Sequence, residues 1–519
     1  MANVRGQPVR PFDAEGAFRS PAETDGLRRL AVRGAGVTVL SQVVSFLIQL
    51  IATAVLARLL TPADFGLLTM VTTFSLLLMN VGLNGFTEAV LQRERMDHEL
   101  ASTLFWINAG LGLVLAAAFA ALGPLLARFY GEPRVTAVAG ALALTIVLTC
   151  LSVQHLALLK RAMLFTRVSA NDIVARSASV VVSIPLAWMG WGHWALVAGA
   201  LALSLSTVIG AWTMCRWLPG RPRLTPGTRS MVQFAMHTYA RFMTGYGTAN
   251  LDKFLVGWAF GPTPLGFYRK AYDLFVMPAN QVSSPLTAVA VAALSRVNDD
   301  ARRRRRYLLE ALSTIAFVGM GLGGALTVVG HDLLRVLLGP GWEEAGRLFT
   351  LFGPGIGAML VYGTHGWIHL SMGRPDRWVR WGLVELGIAA TLFLVALPWG
   401  PAGIAAASAA SYWILMLPGL WYAGQGQLDV AAIVGAIWKY VAAAAFAGAV
   451  AVMSAVTMPS IPGAPGVVHN VAQIAVNSTV FGVLYLGAVV VLYRGYAPLA
   501  HLTGLVRVMI MPRPARHLV

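Results

Sequence analysis

Apolar residues fill long, nearly charge-free stretches of this chain, broken at regular intervals by short polar clusters rich in Arg, Gly and Pro. A helix needs about 20 apolar residues to cross the hydrocarbon core of a bilayer. On that measure the pattern predicts fourteen spans, at about 36–57, 66–88, 101–124, 135–155, 168–188, 193–214, 232–260, 271–293, 307–329, 346–370, 378–397, 402–423, 431–456 and 470–493. Spans 5 and 6, and again 11 and 12, are parted by only a few residues around Trp191-Gly192 and Trp399-Gly400, which reads as tight turns at the membrane surface. The expected fold class is all-α integral membrane.

The polar breaks repeat. Pro62 and Gly66 recur as Pro262 and Gly266, each pair between two long apolar stretches, at an offset of 200. Leu125, Leu126 and Gly131 recur as Leu333, Leu334 and Gly339, and Trp191-Gly192 as Trp399-Gly400, at an offset of 208. Spans 1–6 then correspond to spans 7–12, and an even number of spans per copy makes the copies parallel, related by a pseudo-twofold axis along the membrane normal. The expected organisation is a disordered basic cytoplasmic tail at 1–33, a six-helix lobe at 34–216, a cytoplasmic linker at 217–230 and a second six-helix lobe at 231–424. Two extra helices follow at 425–495, then a cytoplasmic tail at 496–519.

Composition agrees with a membrane chain: 57% of residues are apolar and 12% charged, against roughly 25% charged in soluble domains. Basic residues are retained in the cytoplasm. One alternating set of loops, with both tails, holds 28 of the 39 Lys and Arg, the opposite loops hold seven, and four fall inside spans. That asymmetry places both termini in the cytoplasm. It also accounts for the net charge of +17 as a topology signal, with no nucleic-acid partner implied. Cys150 and Cys215 suggest neither a disulfide framework nor a metal site, and the histidines show no ligand spacing. Walker and Gly-rich phosphate motifs are absent, and the loops on the outer side are too short for an enzyme domain.

Three stretches carry a family resemblance: Ala57 to Gly66 after span 1; Asn250, Asp252 and Lys253 through Leu265, Gly266, Phe267 and Tyr268, with Pro278, around spans 7–8; and Leu338-Gly339-Pro340-Gly341-Trp342 before span 10. With two six-helix bundles and an added helix pair, the chain resembles the polysaccharide (Wzx-type) branch of the multidrug/oligosaccharidyl-lipid/polysaccharide exporter superfamily over about 33–495. The resemblance implies a flippase of the bacterial inner membrane that moves an undecaprenyl-diphosphate-linked oligosaccharide by alternating access. It implies no cofactor. Its expected partners are membrane lipids and the polysaccharide polymerase and chain-length machinery. Two relatives of the same superfamily are the competing readings. A lipid II flippase would line its cavity with several arginines, whereas span 1 here has no basic residue. A cation-coupled drug exporter would have twelve spans and an early buried carboxylate.

Ionisable groups inside a span cost about 2.5–3.5 kcal/mol each on insertion scales and so call for a reason. In span 7, His237, Arg241, Thr244, Thr248 and Asp252 share one helical face, with Lys253 next to it. They read either as a polar cavity wall, with Arg241 attracting the diphosphate and Asp252 an ion-pair or proton site, or as a snorkelling Arg241 and a structural Asp252–Lys253 pair. Span 5 holds Asp172 and Arg176, an i,i+4 pair able to neutralise itself. Glu385 and Lys439 are isolated. Span 1 carries Gln42 and Ser45 on a polar stripe, and Asn80 in span 2 is echoed by Asn280 in span 8. Both patterns suit interhelical hydrogen bonding or, for the Asn pair, the lobe interface. Trp188, Trp191, Trp194, Trp258, Trp342 and Trp399 suit an aromatic belt. The Arg302–Arg306 run reads as a topology anchor drawn to anionic lipids, at about 1 kcal/mol per residue, or as a dock for a cytoplasmic partner.

Overall fold

The structure is a computed structural model that describes residues 11–13, 15–18, 24–80, 87–93, 96–223, 228–295, 301–371, 375–424, 428–457, 466–496 and 498–500. Among these the regular elements are all helices. Among the described residues nine segments are long and apolar enough to cross a membrane, and one of them, Asp376–Ala423, holds two helices. The protein is therefore a multi-pass membrane protein. The chain divides into two compact units, Met1–Gly266 and Phe267–Val519.

The first unit contains α1 (Thr24–Leu59), α2 (Pro62–Asn80), α3 (Thr87–Gln92), α4 (His98–Tyr130), α5 (Arg134–Arg161), α6 (Phe165–Trp188), α7 (His193–Met214) and α8 (Thr228–Phe260). The sequence at the α1–α2 junction explains its geometry. Thr61 stands at the N-cap, Pro62 occupies the first helical position, where a missing N–H is harmless, and the Asp64 carboxylate accepts from both the Thr61 amide (3.0 Å) and its hydroxyl (2.7 Å). This is the reciprocal arrangement of a capping box. Gly66 follows because a side chain has no room there: a Cβ would run into the Pro262 carbonyl, and a Cβ on Gly266 would run into that of Pro62. The two echoed turns thus pack directly on each other, glycine to proline carbonyl, twice over.

Elsewhere in this unit, α4 starts at Asp97, whose side chain accepts from the Leu100 amide at 2.7 Å, and stops at Gly131, which takes the left-handed conformation at φ 65°. Helices α4 and α5 approach closely where Gly112 faces Cys150, as small residues allow in membrane bundles. The Trp-Gly turn between α6 and α7 has Gly190 and Gly192 at positive φ, and its counterpart is a short 3₁₀ turn at Leu397–Trp399 followed by Gly400 at φ 71°.

The division at residue 266 lies one helix beyond the linker expected at 217–230. Helix α8, which the repeat assigns to the second copy, is fastened to the first unit. The Tyr239 and Tyr246 hydroxyls donate to the carbonyls of Leu77 (3.1 Å) and Thr73 (2.6 Å) in α2. Phe254 packs against Phe74, Phe129 and Tyr130.

Part of the expected disordered tail is folded. Residues 24–33 open α1. Residues 12–13 and 15–18 hold a small turn in which Asp13 accepts from the Glu15 and Ala17 amides, Phe18 N–H donates to Met96 O, and His98 N–H donates to Gly16 O. Phe12, buried, meets His98 and Trp217 edge-on or tilted, and the Arg161 guanidinium lies 5.2 Å over the Phe18 ring. Burial of these two rings supplies what a polar composition hides.

The second unit begins within α9 (Pro262–Ser295) and continues with α10 (Ala301–Leu338), α11 (Glu343–Phe352), α12 (Gly355–Gly363), α13 (His365–Ser371), α14 (Pro375–Ala396), α15 (Gly400–Ala423), α16 (Val430–Thr457) and α17 (Gly466–Tyr493). Span 10, expected as one helix over 346–370, is instead three pieces. Pro354 has no N–H to continue the ladder from α11, and the chain turns again at Thr364, whose hydroxyl donates to the Val361 carbonyl at 2.7 Å. Phe352 at the first break is enclosed by Tyr268, Tyr272 and Phe275 of α9. Helices α10, α16 and α17 pack mutually, with Tyr485 of α17 donating to Phe317 O of α10 at 2.6 Å.

Candidate functional site

Two helices outside the nine apolar segments, α6 and α8, carry ionisable groups. In the first unit, α6 brings Asp172 and Arg176 onto one face, one turn apart. Arg176 Nε donates to Asp172 Oδ2 at 2.9 Å, and Ser45 Oγ of α1 donates to the same oxygen at 2.9 Å. The expected i,i+4 pair therefore exists, and it is also tied to the polar stripe of α1. Both side chains remain open, at 37% exposure for Arg176 and 48% for Asp172. Gln42, one turn before Ser45, is exposed as well. The result is a polar strip on α1 and α6, with a guanidinium available to an anion and a carboxylate beside it.

Helix α8 behaves differently. Asp252 and Lys253 are almost wholly enclosed, and Lys253 Nζ lies 3.2 Å from Asp252 Oδ1 and donates to Ala249 O at 2.6 Å. Asp252 Oδ1 also accepts from the Lys253 amide at 2.8 Å. Two opposite charges removed from lipid and water together satisfy each other, which favours the structural reading of the pair over a cavity wall. His237 and Arg241 belong to α8, but their side chains lie outside the described residues. The echoed asparagines differ: Asn80 Nδ2 donates to Leu76 O in its own helix, while Asn280 of α9 is exposed.

The second unit contains a cluster that sequence spacing did not reveal. Trp381 Nε1 of α14 donates to the Tyr362 hydroxyl of α12 at 2.8 Å, and Glu385, one turn along α14, stands beside the same hydroxyl. His365 Nδ1 lies 2.6 Å from Tyr362 O, and its ring stacks on the Tyr362 ring at 4.4 Å. The His365 Nε2 atom, buried, has no hydrogen-bond partner among the described residues. Gly419 leaves the space the two aromatic rings fill, since a Cβ there would meet Tyr362 and Trp381. An isolated carboxyl in the sequence thus becomes a carboxyl–phenol–indole chain. Tyr362 stands 19 residues before Trp381 on a different helix, so no local pattern points to the cluster. Lys439, the other isolated charge, places Nζ 4.3 Å over the Tyr493 ring.

Among the described residues no group of three or more His, Cys, Asp or Glu is assembled that could hold a metal ion. Cys150 and Cys215 are buried free thiols.

Comparison with known proteins places this geometry in a family. The chain is 23% identical over 320 residues to the lipopolysaccharide biosynthesis protein WzxC of Escherichia coli K12, covering 61% of this chain and 65% of that one. It is 23% identical to the succinoglycan biosynthesis transport protein ExoT of Rhizobium meliloti, covering 61% and 64%. The aligned stretch spans just under two thirds of either relative. A solved structure of the lipid II flippase MurJ superposes with a TM-score of 0.72 over 88% of this chain and 98% of that one, at 11% identity, so the two share a fold. The sequence model of the family described as "Polysaccharide biosynthesis protein" matches residues 55–347, more than half of the chain, and the chain belongs to that family.

Proposed function

We propose that this protein is a flippase that carries an undecaprenyl-diphosphate-linked oligosaccharide from the cytoplasmic to the periplasmic leaflet by alternating access, for exopolysaccharide, capsule or O-antigen synthesis. The observation that carries the reading is the exposed Arg176–Asp172 pair midway along α6, tied to the buried Ser45 of α1. An open guanidinium in an otherwise apolar bundle attracts a diphosphate, and its carboxylate partner keeps the empty site from being an unpaired intramembrane charge. Family membership supports the polysaccharide setting, and the names of the relatives support transport.

In this reading the chain makes fourteen spans in two parallel six-helix copies plus a final pair. Both termini face the cytoplasm of a bacterial inner membrane, as the basic-residue asymmetry requires. The Tyr362–Glu385 pair is the site where a proton or cation couples to transport, because a carboxyl held by a phenol inside a membrane unit can change charge without leaving its partner. The apolar cavity of the second unit, lined by Met320, Val328, Trp413, Val441, Ala445 and Val452, suits the hydrocarbon part of a polyprenyl carrier.

The test is a deletion strain analysed for lipid-linked intermediates. Accumulation of complete oligosaccharide units on the polyprenyl carrier, with cell-wall synthesis intact, is the expected result. Accumulation of lipid II with lysis moves the function to the peptidoglycan pathway, and the absence of any lipid-linked intermediate refutes both.

A further inference from the structure

The Arg302–Arg306 run opens α10, and in the structure it stands beside a cavity. Arg302, Arg305 and Arg306 line an open space of about 570 Å³ together with Leu309, Glu310 and Ser313. The helix pair outside the sequence repeat completes the surroundings. Arg305 Nη2 reaches Asp429 Oδ1 at 2.9 Å, and that same oxygen accepts from the Ala432 amide at the start of α16. Ser313 Oγ lies 3.0 Å from the Tyr440 hydroxyl, Tyr440 stacks on Tyr493 of α17 at 5.1 Å, and Lys439 Nζ lies 4.3 Å over that same Tyr493 ring.

Charge decides what this cavity suits. Its lining has three guanidinium groups and one carboxylate, Glu310, which lies 3.9 Å from Arg306. Asp429 at the rim pairs with Arg305. Two more arginines, Arg303 and Arg304, and Lys439 add to the positive excess. The planar, forked guanidinium group matches phosphate oxygens two at a time. Depth points the same way. One turn below the arginines the helix turns apolar through Leu308, Leu309, Leu312 and Ile315, so the cavity sits where a bilayer places its headgroups, flanked by the tyrosines that favour that level. Basic clusters at the membrane surface attract anionic headgroups.

We propose that this cavity, lined by the basic start of α10, is a binding site for the phosphodiester headgroup of an anionic glycerophospholipid. The contact from Arg305 to Asp429 ties the site to the start of the added helix pair. The inference does not depend on what the protein transports.

The test uses the full chain, purified and reconstituted in nanodiscs of phosphatidylcholine with a minor fraction of phosphatidylglycerol, with retained lipid counted by native mass spectrometry. Wild type is expected to retain phosphatidylglycerol at least tenfold over its share of the disc. The variant Arg302→Gln with Arg306→Gln is expected to lose that preference, and Arg223→Gln, an exposed charge paired with Glu99 in the first unit, to keep it. Equal retention of both lipids by wild type, or an equal loss in Arg223→Gln, overturns the proposal. So does displacement of phosphatidylglycerol by undecaprenyl diphosphate or by inorganic phosphate at lower concentration, since the anion would then come from the carrier or from solution. Where the double variant does not fold, the wild-type competition reads the same preference without substitution.

Discussion

Replacing Gly66 with Ala is the sharpest perturbation the fold offers. The added methyl points at the Pro262 carbonyl and also approaches the Gly266 amide, so the obstacle is backbone on both sides. A flexible side chain could yield by a few tenths of an ångström, but two helix starts fixed by proline must instead move apart as bodies. Overpacking in a well-filled interior costs about 1–3 kcal/mol, and backbone against backbone lies at the upper end, so we expect about 3 kcal/mol. At about 2 °C per kcal/mol for a unit of this size, the melting temperature of the detergent-solubilised protein falls by roughly 6 °C. Gly266→Ala, the mirror perturbation at Pro62, has the same cost. The double variant costs less than the sum, because turns already parted by the first methyl accept the second. Gly110→Ala is the control: it lies within α4 with nothing in reach of a Cβ, and the better helix former stabilises by up to about 1 kcal/mol. A thermal-shift series in which Gly66→Ala matches Gly110→Ala would show that the two turns do not touch and would refute the reasoning.

Three further outcomes are expected. Asp252→Asn leaves the enclosed Lys253 ammonium without its anion and costs about 3–5 kcal/mol; the yield of folded protein collapses on size exclusion, and a fully folded variant would contradict the pairing. Phe12→Ala frees the folded turn at 12–18 at a cost on the order of 2 kcal/mol of local stability; limited proteolysis then cuts before α1 with the bundle intact, and unchanged cleavage rates would count against the packing. The Arg134 guanidinium, bonded through two nitrogens to Glu132, holds that carboxyl below the usual carboxylate range. The stability it contributes is present above the unfolded value near 4.3 and is lost as pH falls through the folded one. With Arg134 half exposed the effect stays below about 1 kcal/mol, and Arg134→Gln flattens this part of the acid limb of a stability–pH curve.

What the sequence made legible was whatever a local pattern encodes. The Trp-Gly turns were readable because their glycines take positive φ. The Asp172–Arg176 pair was readable because i,i+4 spacing fixes contact on a helix. The breaks within span 10 are hidden from the sequence because hydropathy sees an apolar run and is blind to the N–H that Pro354 lacks. The burial of Asp252 and Lys253 is hidden from the sequence, because spacing gives direction along a helix and not enclosure, and the enclosing residues come from elsewhere in the chain. The Tyr362–Trp381–Glu385 chain stayed hidden for a related reason: aromatic residues in apolar spans look like core until their polar tips are seen to meet. The folded turn at 12–18 was masked by its polar neighbours, since two phenylalanines in a charged segment leave no periodic trace.

The central claim is movement of a lipid-linked oligosaccharide across the bilayer, and reconstitution tests it most directly. Proteoliposomes carrying a fluorescent polyprenyl-diphosphate oligosaccharide on the inner leaflet are probed with a glycan-modifying enzyme outside. Wild type is expected to expose the glycan, Arg176→Gln to slow that exposure at least tenfold, and protein-free vesicles to protect it. Exposure at the same rate with Arg176→Gln would remove the α1–α6 strip from the pathway, and exposure no faster than in protein-free vesicles would contradict the account.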